Sequence, residues 1–500
     1  MNLDLPPKPS REALTELCYS EPEKVVDLLL TIWGKFEELS EVVEQQSLEI
    51  AALKSKLSKN SHNSSKPPST DKSNPAGTGA STRKKKDRER NSKKPGGQKG
   101  HQGATLEQIP NPTHTIELDA PQRCNCGADL TAVEANGAQI RQVFDLPAEI
   151  KIEATEYQAP VCHCPSCGRK NVAPFPPEVT APVQYGARIR ATATYLHVYH
   201  LLPYERLGET FKDLFGCALS TGTLTRMIDK SAECAKPLQA EIKEKIKACE
   251  FMHNDETGLN ILDKLCWLHT ASTPEYAYFK VTPGRSFADI ASVGVFENYA
   301  GRSIHDFLAA YLKFEGLNHG LCNAHHLREL TYIEEELGQP WAKEMADLLI
   351  EIKDAIAQLP GAERLLEASL QKQFRETYRA IIQTGYEANP PPKRKPGQRG
   401  RLAKGKSLNL LERFEKYEEE VLAFMIHGVP FDNNEAERDL RMMKTRQKIS
   451  GCFRSLEWSN KFATVRSVIT SAKKKSVDVF KLLQTVLTSK EQARTLLFDT

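Results

Sequence analysis

The 500-residue sequence contains no apolar run approaching the roughly 20 residues that a membrane-spanning helix needs. Its N-terminus also lacks the basic, apolar and small-residue succession of a secretory leader. These absences lead to the expectation of a soluble, intracellular protein with no membrane partner. Net charge is scarce too, at +3, so any affinity for nucleic acid has to come from where basic residues are grouped and not from their total. In a reducing compartment the 12 cysteines are expected to be metal ligands or buried thiols rather than disulfides. With 40% hydrophobic residues, a chain of this length is expected to build two or three packed domains.

An apolar heptad begins at Leu29 and continues through Phe36, Val43, Ile50 and Leu57. Ile32, Leu39 and Leu53 fill its second seam, and Gln46 is its one polar slot. The spacing predicts a short coiled coil and therefore a homo-oligomer, against the alternative of one amphipathic helix packed on its own domain. Beyond it the composition turns to Ser, Asn, Lys, Pro and Gly, and nine basic residues between Arg83 and Lys99 face only Asp87 and Glu89. Such a segment cannot build a core; it reads as a basic tether that follows phosphates without reading sequence, or as a solvated linker.

Between Thr113 and Val172, Cys124 and Cys126 form one knuckle and Cys164 and Cys167 another, joined by sequence of β-strand character. Two cysteine knuckles closing on one ion is the pattern of a zinc ribbon, with Cys162 or His163 as substitute ligands, since the first pair has only one residue between its cysteines. Farther on, an apolar helical pattern (Leu207, Phe211, Leu214) breaks at Phe215, Gly216 and Cys217, and a second begins after Ser220. That spacing suits a helix-turn-helix and equally an ordinary helical hairpin.

From Glu250 the pattern becomes short β-type runs, Glu250–His253, Leu265–Thr270 and Tyr276–Val281. A helix near Ala288–Asn298 follows, then a strand from Arg302 ending at Asp306 and another at Asn318–Cys322. This order is that of a ribonuclease H-like fold, in which the first and fourth strands are neighbours and carboxylates ending them, here Asp255 and Asp306, come side by side. Phosphodiester chemistry uses such clusters, because bound cations relieve the mutual repulsion and two metals roughly 3.5–4 Å apart stabilise attacking and leaving oxygens. Oxygen ligands point to magnesium, or manganese. A third acid has to come from a helix crossing the strands, and the segment Asp432-Asn-Asn-Glu435-Ala-Glu437-Arg438 offers Glu437. Each acid also has a bland use: Glu437 in a capping box led by Asn434, Asp306 as cap of a helix starting at Phe307. Arg438, Arg441, Lys444, Arg446 and Lys448 recur along the helix after Glu437 and suit phosphate contacts, or simply an exposed face. Cys322 and His325 follow the fifth strand; His325 is an accessory candidate, with a buried thiol beside a satisfied histidine as the alternative.

At these residues the sequence resembles the transposases of the insertion-sequence-66 group. The resemblance extends through Asn60–Asp71, Pro95–His101, the cysteine module, His253-Asn-Asp-Glu-Thr257, Cys322-Asn-Ala-His325 and Asp432–Arg438. It implies an Asp255, Asp306 and Glu437 triad, a zinc-binding cysteine module, DNA ends and target DNA as partners, a cytoplasmic, nucleoid-associated bacterial protein, and small accessory proteins of the same element. The chain departs from the group at the first cysteine pair and at Phe307, where relatives often carry glycine.

The expected fold is multidomain α+β: a coiled-coil region (1–58), a basic tether (59–112), a zinc-binding module (113–180) and a helix-turn-helix-like region (181–245). A ribonuclease H-like α/β catalytic core then occupies 246–332 and 431–500, split by a mainly helical insert (333–430). A nuclease or junction resolvase of the same fold, and a zinc-containing DNA-binding regulator without catalysis, are the rival readings.

Overall fold

The computed structural model describes residues 10–57, 106–134, 137–147, 150–360, 365–392, 402 and 404–499. Two helices lead, α1 (Arg11–Ser20) and the 36-residue α2 (Pro22–Leu57). Along α2 the seam residues Leu29, Ile32, Phe36, Leu39, Val43 and Ile50 are each more than half exposed, which leaves a continuous apolar face open. The basic run from Arg83 to Lys99 and the bases from Lys393 to Arg401 lie outside the described residues. No helix among the described residues is long and apolar enough to cross a membrane.

Chain contacts divide the protein into one unit of residues 1–73, 158–209 and 219–500 and another of 74–157 and 210–218. In the smaller unit Gln142 grips the backbone of Ile109 at both its N–H and its C=O, each at 2.8 Å. The sequence between the two cysteine knuckles was expected to be β-rich. Among its described residues there is only an isolated bridge, Arg123 to Asp129, before the three-residue strands β1 (Val161–His163) and β2 (Lys170–Val172) pair antiparallel.

In the larger unit α3 (Ala187–Thr194) continues into a π-helical turn at Tyr195–Tyr199. Then come α4 (Tyr204–Phe215), whose residues from Thr210 on belong to the smaller unit, and α5 (Thr221–Lys247), the break falling where the sequence placed it. Gly216 there adopts a φ of +61°, open to glycine at little cost, and the Ser220 hydroxyl caps α5 by accepting from Thr223 N–H. Helix α5 buries Leu224, Ile228, Ala235, Ile242 and Ile246 along one stripe.

A five-stranded mixed sheet follows, built from β3 (Phe251–Ile261), β4 (Lys264–Ser272), β5 (Ala277–Thr282), β6 (Arg302–His305) and β7 (Asn318–Leu321), with the short α6 (Phe287–Ala291) between β5 and β6. Its order is β5-β4-β3-β6-β7: the first three strands are antiparallel neighbours, and β6 and β7 add parallel to β3. Strand β3 does not stop near His253, as expected, but runs on to a tight hairpin turn whose residues Leu262 and Asp263 both have positive φ. Asp255, expected to end the strand, is therefore strand interior, as is Asn254. Gly301 enters β6 where any Cβ would come within 2.6 Å of the Glu250 carbonyl oxygen, so the parallel pair needs glycine there.

The rest is helical: α7 (Asn323–Leu337), α8 (Pro340–Ala357), α9 (Ala368–Ala388), α10 (Lys406–Lys416), α11 (Glu418–Val421), α12 (Ala423–Ile426), α13 (Asn434–Ser450), α14 (Leu456–Lys474), α15 (Val479–Thr488) and α16 (Lys490–Phe498). Helices α8 to α12 close on a core of Trp341, Met345, Leu349, Tyr378, Leu411 and Phe414.

Helix α14 seals an otherwise open sheet edge. The outward N–H groups of Ala277, Phe279 and Val281 on β5 donate to Ser471 Oγ, Ser467 Oγ and Asn460 Oδ1 at 3.0–3.1 Å. A side-chain ladder thus takes the place of a further strand and blocks edge-to-edge pairing. At the end of α14, Lys474 is 9% exposed and bonds Glu435, Asp439, Ser272 Oγ and the Thr273 carbonyl at 2.6–2.8 Å, tying α13 and α14 to β4. Removing one partner from a buried ion cluster strands the others. Lys474→Met is accordingly expected to destabilise the protein by roughly 3 kcal/mol in urea unfolding; an unchanged midpoint would mean the cluster is solvated.

Candidate functional site

Parallel pairing of β3 with β6 matches His253 to Ile304, and two residues farther along the same register stand Asp255 and Asp306. Asp306 lies one residue beyond the end of β6, while β3 continues against β4, with Phe453 bridging to its far end at Ile261. The two carboxylates therefore stand on one face where the sheet opens, but with Glu437 they do not close to within 4.8 Å of one another. Asp306 does not cap a helix from Phe307; its Oδ1 accepts from Leu308 N–H at 3.2 Å in a turn. The Phe307 ring is held between Tyr417, at a centroid distance of 5.2 Å, and the Arg413 guanidinium at 4.3 Å. That contact anchors the turn to the helices that follow α7, where a glycine would have no grip.

On the face that His253 shares with Asp255, the start of α13 crosses the strand. Asn433, 1% exposed, donates to the Asn254 carbonyl at 2.8 Å, pairs with His253 Nδ1 at 3.0 Å, and sends its own N–H to Cys322 Sγ at 3.1 Å. It is the residue preceding the first turn of α13, yet its side chain makes no cap bond and works across elements instead. The capping-box reading of Glu437 under an Asn434 cap therefore fails: Asn434 is already helical, and Glu437 is free to face the sheet. Glu437 Oε1 is buried without a hydrogen-bond partner, and the nearest cationic-capable atom is His325 Nε2 at 3.9 Å.

Charge crowding is visible at Asp255. Burial first, then the carboxylates of Glu256, Asp306 and Glu437, push its pKa well above the usual carboxylate range. Glu256 was not singled out in the sequence. It projects from β3 on the opposite side to Asp255, its side chain only 3% exposed, accepts from Tyr311 Oη at 3.0 Å and faces Arg285 at 3.8 Å. Burial and then Asp306 raise it to about 7. Tyr311 in turn stacks on His305, whose Nε2 meets His319 Nδ1 at 3.0 Å, so a buried polar chain braces the strand that carries Asp306.

Glu435 has the same 23% exposure as Glu437 and is engaged by Lys474 and Arg438. Of the basic residues after Glu437, Arg438, Arg441, Lys444 and Lys448 are exposed, with Lys444 Nζ on the Gly258 carbonyl at 3.1 Å. Arg446 is 5% exposed, lies 3.5 Å from the centre of the Phe453 ring, and donates to Gly451 O, so it faces the core and not that surface.

Each cysteine knuckle has a turn of its own. Gly127 N–H returns to Cys124 O, and Gly168 N–H to Cys164 O, both at 2.8 Å. Hydrogen bonds lower the thiol pKa values of Cys126, chiefly from the Ala128 backbone, and of Cys164, chiefly from the Cys167 backbone, which favours the thiolates that a metal takes.

A family model described as Transposase IS66 family matches residues 182–460, more than half of the chain, and takes in the sheet, Asp255, Asp306 and Glu437. A second, described as a family of unknown function (DUF6444), matches residues 7–107. The comparison with curated proteins returns no match. A match over more than half of the chain carries the assignment: the chain belongs to the IS66 family of transposases.

Proposed function

We propose that this protein binds the ends of an insertion sequence and cuts and joins DNA at a site of ribonuclease H-like design, with Asp255, Asp306 and Glu437 as ligands of two magnesium or manganese ions. The observation that carries the reading is the register of β3 and β6, which brings two carboxylates together beneath a third whose buried oxygen lacks a partner. The donor set fits: three hard oxygen ligands in a half-buried cluster, destabilised by their own charge, are what such cations take. When bound, the cations supply Lewis-acid stabilisation to the attacking and leaving oxygens of an in-line displacement at phosphorus.

The chain's own residues do the rest. Asn433, His253 and Asn254 fix the start of α13 against β3 and so aim Glu437. Arg441, Lys444 and Lys448 hold the phosphodiester backbone beside the acids, and Arg438 joins them when it exchanges Glu435 for phosphate. In the first step water attacks the phosphorus at the element's end and the 3′ oxygen leaves as a hydroxyl. In the second that hydroxyl attacks target DNA and displaces another 3′ oxygen, with no covalent enzyme intermediate. Incubating the purified protein with labelled element ends, target plasmid and magnesium tests this. Strand transfer is expected; cleavage without joining of precut ends would favour a nuclease, and neither reaction would favour a DNA-binding regulator.

The cysteine knuckles at Cys124, Cys126, Cys164 and Cys167, with Cys162 and His163 as alternates, are proposed to bind zinc. Purified protein is expected to carry about one zinc there, released by Cys164→Ser with Cys167→Ser; zinc content unaltered by the double replacement overturns this. The open apolar face of α2 is proposed to pair with α2 of a second copy. Val43→Glu with Ile50→Glu should then lower the oligomer mass in light scattering without altering metal content, and an unchanged mass refutes the seam. The helix pair α4 and α5 as an end-binding element, the domain boundaries given above, a nucleoid location and the need for accessory proteins belong to the same proposal.

A further inference from the structure

Among the described residues one group of mixed metal-ligating side chains comes together: Cys322 Sγ, a ring nitrogen of His325 and a carboxylate oxygen of Glu437 lie within 4.8 Å of one another. They converge from two helix starts. Cys322 is the residue before the first turn of α7, His325 sits three residues later on that turn, and Glu437 lies in the first turn of α13. Two buried polar atoms without hydrogen-bond partners belong to this group, His325 Nδ1 and Glu437 Oε1. Buried polar atoms are normally satisfied, so each of these calls for a partner, and the His325 nitrogen now nearer Glu437 is Nε2.

Magnesium does not answer that need, because a hard cation takes oxygen and leaves a thiol and an imidazole unused. Sulfur, nitrogen and one carboxylate together are the donor set of zinc-class ions, and three protein ligands with a fourth position open is a common zinc geometry. With bond lengths near 2.1 Å, tetrahedral ligands stand about 3.4 Å apart. His325 Nε2 and Glu437 Oε1 are 3.9 Å apart, so side-chain rotation alone brings them to that spacing.

We propose that Cys322, His325 and Glu437 form a binding site for a thiophilic divalent cation, zinc being the representative, and that its occupancy draws Glu437 away from Asp255 and Asp306. The second half rests on the catalytic reading above, in which Glu437 serves the magnesium pair. One glutamate then has two mutually exclusive uses, and zinc at this site switches off the DNA chemistry while leaving DNA binding in place.

The test uses the full chain, purified with the zinc of its cysteine module, and dialysed to equilibrium against zinc chloride in magnesium buffer. Wild type is expected to bind one zinc more per chain than either Cys322→Ser or His325→Gln. His325→Gln is the safer variant, because Cys322 Sγ also accepts the Asn433 N–H. Zinc should inhibit wild-type cleavage at concentrations at least tenfold below those that inhibit each variant relative to its own zinc-free rate. Equal zinc content in wild type and His325→Gln overturns the site. An extra zinc in wild type without that difference in inhibition overturns the withdrawal of Glu437. Failure of the catalytic reading shows separately, as no magnesium-dependent cleavage in zinc-free buffer, which removes the switch and leaves the zinc count to decide the site.

Discussion

Glu437→Gln is expected to abolish DNA cleavage and strand transfer, by roughly 10³-fold or more, while Glu435→Gln remains active, because a lost cation ligand removes several kcal/mol of transition-state stabilisation. The two glutamates are two residues apart on α13, so they leave the helix about 200° apart around its axis. Only one can look at β3. Glu437 faces it, raises the pKa of Asp255, and has a buried oxygen with no hydrogen bond to lose. Glutamine keeps the shape and fold at that position but brings no charge for a cation. Glu435 has another occupation, since it meets Lys474 at 2.6 Å and Arg438 beside it, and these cations hold its pKa below the usual range. Its replacement weakens the cluster around Lys474, where Asp439 still stands at 2.8 Å, and should therefore appear in stability and not in rate. Single-turnover cleavage of a labelled end, read beside a binding titration on the same DNA, separates the two effects. Strand transfer by Glu437→Gln with loss in Glu435→Gln would falsify the assignment of the third acid.

The neighbouring of the first and fourth strands was legible because hydrophobic runs, turn residues and order along the chain restrict sheet topology strongly. Strand length was less so. Asn254 and Asp255 are poor strand formers beyond the run Glu250–His253, whereas the turn falls at Leu262 and Asp263, an unusual pair for positive φ. Glu256 escaped notice because it follows Asp255 directly and so points to the other side of the strand, where only the fold reveals Tyr311 and Arg285. Arg446 carried a signal that charge alone obscured. It continues the spacing of Ala436, Leu440 and Met443, the buried stripe of α13, and its guanidinium stacks on Phe453 accordingly. The side-chain partners of Asn433 lie about 180 residues earlier on β3, beyond the reach of any local pattern.

Replacing Asp255 should have opposite consequences for activity and for stability. Asp255→Asn is expected to abolish cleavage as completely as Glu437→Gln and, in magnesium-free buffer above neutral pH, to make the protein more stable than wild type. Burial and three nearby carboxylates hold the Asp255 pKa well above its ordinary value, so ionising it costs folding free energy. Glu256 behaves alike, raised from 4.5 to about 7 by burial and Asp306. The sign follows from proton linkage. A carboxyl with a raised folded-state pKa binds its proton more tightly in the native state than in the unfolded one, so its contribution is fully present below the unfolded pKa and is lost as pH rises through the folded value. For Glu256 that window runs from 4.5 to about 7, and the metal-free protein should lose stability across it. Asparagine at position 255 removes the raised carboxyl itself and flattens the decline. Magnesium should restore wild-type stability with rising concentration, since it binds the folded state alone, and should do little for the variant. Urea unfolding at pH 5 and pH 8, with and without magnesium, measures all of this. A variant less stable than wild type at pH 8 without magnesium would mean that the acids are held apart and solvated, and an arrangement of that kind would count against the proposed cation site.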